Sequence, residues 1–384
     1  TGRKLSTATL PDGSQVTYQY DAITGRLWKT LYPGGGVRQY QYADPKHHNA
    51  LTGVIDENGQ QYLTFAYDAQ GRATYNAHAG ATDQVSLVYN VDGSASVTDN
   101  RGVTRVYRYQ KVQGRPRIQM IDGVPCDNCG AAATTTYDSN GYIDTQTDWS
   151  GNLTDRDHDA RGLEYRRIEA KSTAVQRKTE TTWHATFHVP LERRVYNASN
   201  VLEAKTQWAY NARGQTVAEC KIDPLDGASS GYTCSASSAP PTGSTIRRHV
   251  YTYCEAADVA APNSTCPILG LAKTANGPRA TSDDGMGGLD DLTTYTYYPS
   301  TDETGCGTLG GTCHRKGDLW KVTNALGHVS ENVSYDKNGR VTRSKDANGT
   351  ITDLTYHARG WLLTRTVRAN ANGCSAPSGS ASAG

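Results

Sequence analysis

The sequence predicts an all-β protein, built as one long antiparallel sheet of consecutive hairpins. Composition is the first observation: of 384 residues, 24 are tyrosine, 39 are glycine and only 2 are phenylalanine. Tyrosine, threonine and valine favour strands, and tyrosine suits a surface that is buried at the ring and hydrated at the hydroxyl. The second observation is a short turn motif that recurs along the chain, and the third is its regular spacing.

The motif is a tyrosine followed by Asp, Asn or His, two or three further residues, and glycine. Asx side chains start turns by bonding back to the backbone, and glycine takes the positive φ that a short hairpin loop requires. Copies begin at Tyr20, Tyr67, Tyr89, Tyr137, Tyr210, Tyr335 and Tyr356, with a degenerate copy at His158. We call these the YD turns. Their candidate turn residues are Tyr20, Asp21, Gly25, Tyr67, Asp68, Gly71, Tyr137, Asp138, Gly141, Tyr210, Gly214, Tyr335, Asp336, Gly339, Tyr356 and Gly360.

Second turns, of the type D-x-x-G, lie between the YD turns. Gly327, Gly339, Gly349 and Gly360 are 12, 10 and 11 residues apart, so two turns make a repeat of 21 to 23 residues. Removing about four turn residues leaves roughly six to eight for each strand. Strands joined by such tight turns run antiparallel to their neighbours, and the chain has room for roughly 16 to 20 of them.

The spacing of the turns also predicts the domain organisation. A repeat sheet occupies 1–370, and a Ser/Gly/Ala-rich tail follows over 371–384. The turns are regular in three zones and interrupted by two cysteine-rich loop insertions. The regular zones are 1–123, 137–219 and 315–370, and the insertions are 124–136 and 220–314.

Nine cysteines in a nearly neutral chain predict disulfides and an oxidising compartment. Eight of them are close in sequence to a partner and would each pinch a loop, and Cys374 is left over. The predicted pairs are Cys126 with Cys129, Cys220 with Cys234, Cys254 with Cys266 and Cys306 with Cys313. A zinc site is the alternative, in which ligands from among Cys306, Cys313 and His314 would complete a tetrahedron with the C-x-x-C pair. A thioredoxin-like role would need a βαβ context, which the flanking sequence lacks.

Charge and hydropathy exclude two classes of partner. Lys and Arg total 39 against 38 for Asp and Glu, a net charge of +1. Such a balance argues against a protein held on nucleic acid by phosphate attraction. No apolar run approaches the roughly 18 residues that cross a bilayer. We therefore expect no nucleic-acid partner and no membrane span, and the sequence offers no cofactor or metal motif.

Two motifs resemble catalytic ones and fail on context. His184 and His188 have metalloprotease spacing, but Ala185 replaces the general-base glutamate. The flanking TTW and TFHV segments predict strand, which would separate the two imidazoles by about 13 Å. Ser229 lies in a G-x-S-x-G match, but within a polar loop and not in a strand–turn–helix unit. We predict that the chain is not an enzyme and has no catalytic residue.

The YD turns, such as YDAQGR from Tyr67 and YDKNGR from Tyr335, resemble the YD-repeat of the Rhs family. That family includes bacterial Rhs and wall-associated proteins, the C subunits of insecticidal Tc toxins and the teneurins of animals. The resemblance implies a sheet that winds spirally into a hollow shell or barrel, and twist accumulated over many strands offers a physical route to that winding. Bacterial shells of this family enclose a toxic C-terminal polypeptide.

The sequence departs from the family at one point. The proline- and glycine-rich, Asp-Pro-containing motif that usually closes the bacterial shells is missing, so no self-cleavage aspartate is assigned. The chain therefore looks like a fragment of the repeat region, from the middle of a larger protein.

The resemblance implies a non-enzymatic wall segment of a secreted bacterial Rhs-type protein that encloses or presents a C-terminal toxin or effector. Its expected partners are the remainder of its own chain or copies of itself, with a cell-surface glycan or protein as a further candidate. The alternative is an extracellular fibre or adhesin that self-associates through exposed sheet edges. In either case we expect the chain outside the cell or at its surface.

Overall fold

The structure is a computed structural model that describes residues 4–10, 13–57, 59–124, 133–278, 291–308, 311–357 and 360–368. It confirms the predicted fold class, because 27 strands belong to one antiparallel sheet. Among the described residues no ladder joins the first strand to the last, so the sheet is not closed into a barrel. Helical structure there is limited to α1 (Ala256–Ala260) and two 3-10 turns, Ala79–Ala81 and Gly227–Ser229.

The first eighteen strands are short, mostly of four to seven residues. They are β1 (Thr7–Thr9), β2 (Gln15–Tyr20), β3 (Leu27–Leu31), β4 (Val37–Gln41), β5 (Gly53–Ile55), β6 (Gln61–Tyr67), β7 (Ala73–His78), β8 (Val85–Tyr89), β9 (Ala95–Thr98), β10 (Thr104–Val112), β11 (Arg115–Asp122), β12 (Thr134–Tyr137), β13 (Ile143–Thr147), β14 (Leu153–His158), β15 (Glu164–Glu169), β16 (Arg177–Trp183), β17 (Pro190–Tyr196) and β18 (Leu202–Tyr210).

The last nine strands continue the same order with longer connections. They are β19 (Thr216–Ile222), β20 (Arg247–Tyr253), β21 (Ala272–Asn276), β22 (Thr293–Tyr297), β23 (Leu319–Thr323), β24 (Val329–Tyr335), β25 (Val341–Lys345), β26 (Ile351–Tyr356) and β27 (Leu362–Arg368).

The chain forms two compact units. The first comprises Thr1–Ala8, Gln15–Gln207 and Ile222–Ser230, and the second comprises Thr9–Ser14, Trp208–Lys221 and Gly231–Gly384. From β2 to β18 each strand pairs antiparallel with the next. The same holds from β19 to β27.

At most of the tyrosines that end a strand the register of the ladder shifts, although it does not shift at Tyr89. In β6 and β7 the pairing runs from Leu63 opposite His78 to Ala66 opposite Tyr75, and then slips so that Tyr67 faces Ala73. A slip of this kind is a β-bulge, which accompanies a three-residue hairpin loop closed by glycine. Equivalent shifts occur at Tyr20, Tyr196, Tyr253, Tyr297, Tyr335 and Tyr356.

The buried core is thin. Its fully buried side chains are small, the largest being Thr30, Cys220, Cys254 and Cys313. One cluster of buried residues stands out, in which Cys254, Cys266 and Tyr297 pack with partly buried Leu271, Tyr295 and Leu319. A sheet with so little apolar burial needs other interactions to hold it together, because burial supplies the main favourable term in most folds.

Two local expectations were wrong. The described strands number 27, more than the 16 to 20 expected, because connections without the turn motif also separate strands, as between β4 and the three-residue β5. The TFHV segment is not a strand: residues 184–189 form a turn between β16 and β17. There the ring Nδ1 of His184 accepts the backbone N–H groups of Thr186 and Phe187, both at 3.1 Å. The imidazole thus plays the part that an Asx side chain plays elsewhere.

Candidate functional site

The YD turn at Asp68 shows the local geometry. The Asp68 N–H donates to the Arg72 carbonyl at 2.9 Å and the Gly71 N–H donates to the Asp68 carbonyl at 3.0 Å. The carboxylate Oδ1 of Asp68 accepts the N–H groups of Gln70 and Arg72, both at 2.9 Å. Gly71 has φ +78°, a left-handed conformation that costs other residues about 1 to 2 kcal/mol. The loop therefore fixes itself locally, through one side chain and one glycine.

Four other YD turns repeat this geometry. The same two side-chain bonds form at Asp138, Asp159, Asn211 and Asp336. Asp21 heads a loop one residue longer, in which its Oδ1 accepts the Thr24 N–H at 2.6 Å. The candidate glycines have φ between +70° and +99°, and they are Gly25, Gly71, Gly141, Gly214, Gly339 and Gly360. The D-x-x-G turns use the same bonds at Asp99, Asp148, Asn324 and Asp346.

The tyrosine that opens a YD turn is used through its hydroxyl. Tyr67 donates to the Leu51 carbonyl at 2.7 Å, just before β5, the strand that precedes its own. The bond ties the end of one strand to its neighbour, which phenylalanine cannot do, and is worth about 0.5 to 1.5 kcal/mol. Equivalent bonds join Tyr20 to Leu5, Tyr89 to Ala73, Tyr137 to Ile118, Tyr253 to Thr216, Tyr297 to Ala272, Tyr335 to Leu319 and Tyr356 to Val341.

The arginine after the glycine joins one YD turn to the next. Arg72 Nε donates to its own Asp68 Oδ2 at 2.7 Å. The same guanidinium lies over the ring of Tyr89, 4.1 Å from its centroid. Tyr89 opens the following YD turn, so the cation–π contact links two turns along one border of the sheet. Arg340 makes the same contact with Tyr356, which opens the next YD turn. Arg26 also lies over a tyrosine ring, that of Tyr42, which follows β4 and opens no YD turn.

Three YD turns carry their arginine before the glycine, and two of these arginines, Arg161 and Arg213, reach a following loop. The third, Arg359, lies outside the described residues. Arg161 donates to the carbonyls of His184 and Ala185 at 2.8 and 3.0 Å. Arg213 makes a two-pronged contact with the carboxylate of Glu255, at 2.9 and 2.7 Å. The planar guanidinium suits both kinds of acceptor because its N–H donors form a rigid fork.

The structure joins three of the four predicted cysteine pairs. Cys220 is bonded to Cys234, Cys254 to Cys266 and Cys306 to Cys313, and the partners are 14, 12 and 7 positions apart in the sequence. Cys126 and Cys129 lie outside the described residues, as do Cys374 and the predicted tail. His314, the proposed zinc ligand, instead stacks on Tyr298 with ring centroids 3.7 Å apart.

The disulfide loops dock on the YD turns. In the Cys254–Cys266 loop, Glu255 pairs with Arg213 of the turn opened by Tyr210, and the side chain of Gln215 donates to the Gly270 carbonyl at 2.8 Å. At the Cys306–Cys313 loop, the Tyr335 N–H donates to the Cys313 carbonyl at 2.7 Å. The long connections are therefore held at the same border as the short turns.

Hydrogen bonding sets the acidity of several turn carboxyls. A backbone N–H from Thr24 holds the pKa of Asp21 below its usual value of 3.8. The Asn152 amide lowers the pKa of Asp148, and the Leu163 N–H lowers that of Asp159. These bonds favour the ionised form of the three carboxyls. Burial raises the pKa of Tyr298, which keeps its hydroxyl protonated as a donor to the Asn332 carbonyl at 2.8 Å.

A cleft of about 310 Å³ lies over β25 and β26, beside the Cys306–Cys313 loop. Its floor includes Asp353, a buried residue whose Oδ1 accepts Arg343 Nε at 2.6 Å. The other carboxylate oxygen pairs with Arg368. Both oxygens of Asp353 are thus engaged by guanidinium groups, an arrangement that neutralises a buried charge and leaves no free carboxylate for proton transfer.

The rejected catalytic motifs are not assembled into a site. Ser229 is buried in the 3-10 turn Gly227–Ser229 and donates to Asp226 Oδ2 at 2.6 Å. Throughout the described ranges no three His, Cys, Asp or Glu side chains converge as metal ligands. In the same ranges, no helix has the length and apolar character needed to cross a membrane.

Comparisons with known proteins agree with this geometry. The family described as RHS Repeat matches residues 335–372, which contain two YD turns. A crystal structure of TcdB2–TccC3 without its hypervariable C-terminal region is 14% identical, with a TM-score of 0.53, and matches 93% of this chain. The TcdB2–TccC3–Cdc42 crystal structure is 14% identical, with a TM-score of 0.51 over 93% of this chain. This chain covers 17% of the length of each of those chains. No curated protein matches it.

The fold and its turns define a YD-repeat sheet protein. Residues 335–372 match the RHS Repeat family, and this match together with the shared fold confirms the resemblance recognised from the sequence. Sequence reasoning found the tyrosine, the Asx residue and the glycine of each turn but gave the tyrosine hydroxyl and the arginine no role. The ratio of 24 tyrosines to 2 phenylalanines carried the signal for the hydroxyl.

Proposed function

We propose that this chain is a structural wall segment of a secreted bacterial Rhs-type protein, which encloses or presents a C-terminal effector. The observation that carries the proposal is the linkage of turn to turn along the sheet border, through the contacts of Arg72 with Tyr89 and of Arg340 with Tyr356. A sheet held along its border needs no second layer packed on its faces. Such a sheet suits a wall, which has to present one face to contents and the other to solvent.

Three further observations support the proposal. The TcdB2–TccC3 structures have the same fold. The carboxylates of Asp353 and Asp226 are engaged in structural bonds, which supports a scaffold over an enzyme. The three disulfides support an oxidising compartment, and so an extracellular or cell-surface location. The mechanism would be steric, with the wall separating an effector from its surroundings until delivery.

The test is electron microscopy of the native particle that contains this chain. A closed hollow body with density inside is the expected result. A long rod with repeating sheet density would contradict the container and support a filament. As a check on contents, protease added to the intact particle should spare the effector, and opening the particle with denaturant should expose it to cleavage.

One observation favours the second candidate, a self-associating fibre or adhesin. All seven residues of β27 are exposed, including Leu362 at 50%, Leu363 at 57% and Val367 at 51%. An exposed apolar strand can pair with another chain. A lysine at Leu363 should reduce the length of rods if they form by this contact, and should leave a closed particle unchanged.

A further inference from the structure

Positive charge is concentrated in one hairpin, β10–β11. Residues 100–121 contain six basic residues and no acidic one, whereas the whole chain has a net charge of only +1. The six are Arg101, Arg105, Arg108, Lys111, Arg115 and Arg117. The two strands of this hairpin are long, with nine residues in β10 and eight in β11.

Carboxylates neutralise the basic residues at the base of this hairpin. Arg105 pairs with Asp99 at 3.1 Å. Arg108 pairs with Asp122 at 2.7 Å and with Asp92 at 3.2 Å. The second cation near Asp99, Arg101, lies 3.8 Å from it. The three acidic residues that flank the hairpin are therefore all used at its base.

The remaining three cations form what we call the basic tip: Lys111, Arg115 and Arg117. All three are exposed. Across the ranges given above for the structure, no carboxylate forms an ion pair with any of them. Arg115 and Arg117 are alternate residues of β11, so their side chains leave the same face of the strand about 7 Å apart. The tip thus presents charge that no carboxylate of the described residues neutralises.

The basic tip extends beyond the neighbouring ladders. On one side, the ladder between β9 and β10 ends where Ala95 faces Tyr107. On the other, β11 pairs with β12 only where Met120 faces Thr134. The tip is nevertheless held in place, since the Gln113 side chain donates to the Ser139 carbonyl at 3.4 Å, within the neighbouring YD turn.

An exposed aromatic ring lies beside these cations. Tyr109 is 42% exposed and faces Ile118, which is 39% exposed, across the hairpin. Lys111 follows two residues later and shares the face of Tyr109. One face of the hairpin therefore offers a ring with a cation, and the other offers a row of two guanidinium groups.

We propose that the basic tip binds an acidic polysaccharide, a linear carbohydrate polymer that carries carboxylate or sulfate groups. The guanidinium fork of arginine matches these groups in two-pronged contacts, and alternate spacing along a strand suits a linear chain of charges. The inference rests on the proposed extracellular role, because such polymers lie outside cells.

Two other anionic partners fit less well. A nucleic acid would require an excess of positive charge over a wide surface. The six basic residues of this hairpin outnumber the three acidic residues at its base by three, which is already more than the net charge of +1 of the whole chain. The rest of the chain therefore has no excess of positive charge. A bilayer would favour apolar side chains at the tip, where the turn instead contains Gln113 and Gly114. Tyr109 and Ile118 lie nearer the base.

The test compares the full chain with the double variant Arg115→Glu/Arg117→Glu. Heparin serves as the sulfated probe and polygalacturonate as the carboxylated one, with binding measured by isothermal titration calorimetry at two salt concentrations. We expect at least one probe to bind, and the variant to weaken it about tenfold or more because charge-assisted bonds are lost. Arg115→Lys/Arg117→Lys should weaken it less.

The matched control is Lys345→Glu/Arg365→Glu, which reverses two equally exposed cations on β25 and β27. The control should bind as the unaltered chain does, and equal urea midpoints should show that all variants are folded. Equal loss in the control would overturn the proposal, and so would the absence of binding to both probes. Tighter binding of single-stranded RNA or phosphatidylserine vesicles, lost in the same variant, would assign the tip to another anion. The container role is tested by the shape of the particle in electron microscopy, which does not depend on polysaccharide binding. A negative binding result would therefore contradict this proposal and leave the test of the container role unaffected.

Discussion

Two regions of this molecule hold the same kind of sheet in different ways. In the regular stretch, residues 15–207, strands are joined mostly by loops of three residues that an Asx side chain and a glycine close. In the insertion, residues 220–314, connections are longer and three disulfides close loops there. The most deeply buried side chains of the insertion are half-cystines, such as Cys220 and Cys254 at 0% exposure.

The difference follows from loop entropy. Closing a loop costs more as the loop lengthens, and a three-residue loop with four internal hydrogen bonds needs little else. A loop of a dozen residues without the Asx–Gly motif lacks those bonds. A covalent link and a small core around Tyr297 stabilise it instead. The sheet therefore tolerates long insertions where cysteines accompany them.

The largest effect is expected from removing a disulfide of the insertion. Cys254→Ala/Cys266→Ala should cost about 2 to 4 kcal/mol, because the 12-residue link no longer restricts the unfolded chain and the cluster with Tyr297 loses its sulfur atoms. Hydrogen exchange measured by mass spectrometry should show faster exchange in residues 254–297. The regular stretch should keep its protection, and an equal loss there would contradict the division into two mechanisms.

The next effect concerns the glycines of the regular stretch. Gly71→Ala should destabilise more than Gly151→Ala, although both have positive φ, +78° and +86°. A Cβ at Gly71 would lie 2.9 Å from the His47 ring, whereas none of the described atoms lies within 4 Å of a Cβ at Gly151. The control variant, Gly151→Ala, should lower the free energy of unfolding by about 1 to 2 kcal/mol, because alanine disfavours the positive φ. Urea midpoints measure the difference, and equal midpoints would remove the role given to His47.

A smaller effect is expected from a tyrosine hydroxyl. Tyr67→Phe should cost about 0.5 to 1.5 kcal/mol, because the Leu51 carbonyl loses its donor. Tyr62→Phe is the control, since that ring is 41% exposed and its hydroxyl has no hydrogen-bond partner among the residues described. It should change the free energy of unfolding by less than about 0.5 kcal/mol. If the two variants have the same free energy of unfolding, the hydroxyl bond does not explain why the chain has so many more tyrosines than phenylalanines.

The smallest effect is on pH dependence. Asp21, Asp148 and Asp159 have folded-state pKa values below 3.8, so each adds stability that is complete above that pH and lost as pH falls through the lower value. Asp148→Asn should keep the two hydrogen bonds from the backbone N–H groups. It should also remove the part of the acid-induced loss of stability that comes from protonation of Asp148. Asn211 already forms such bonds without titrating. Urea midpoints between pH 6 and 3 should fall less steeply in the variant, and parallel curves would contradict the role of the charge.

Local sequence was sufficient for the turns because their bonds are local. Asp68 to Arg72 contains every group that closes its loop, so the motif and the fold class could be predicted from residue types and spacing. Proximity in sequence also predicted Cys220 with Cys234, since partners 14 residues apart across one loop have few alternatives. The number of strands could not be predicted in the same way. The connection between β4 and β5 and the turn at His184 have no Asx–Gly signal, and they are set by the pairing of their neighbouring strands.

The sequence by itself determined where the chain turns, that its strands run antiparallel, and which cysteines could meet. Only the tertiary structure decided that the Tyr67 hydroxyl reaches Leu51, that Arg72 covers Tyr89, and that the base of the β10–β11 hairpin is neutralised while its tip is not. The physical reason is range. A turn is fixed by groups within five residues, whereas these contacts join strands whose register is set only when the whole sheet forms.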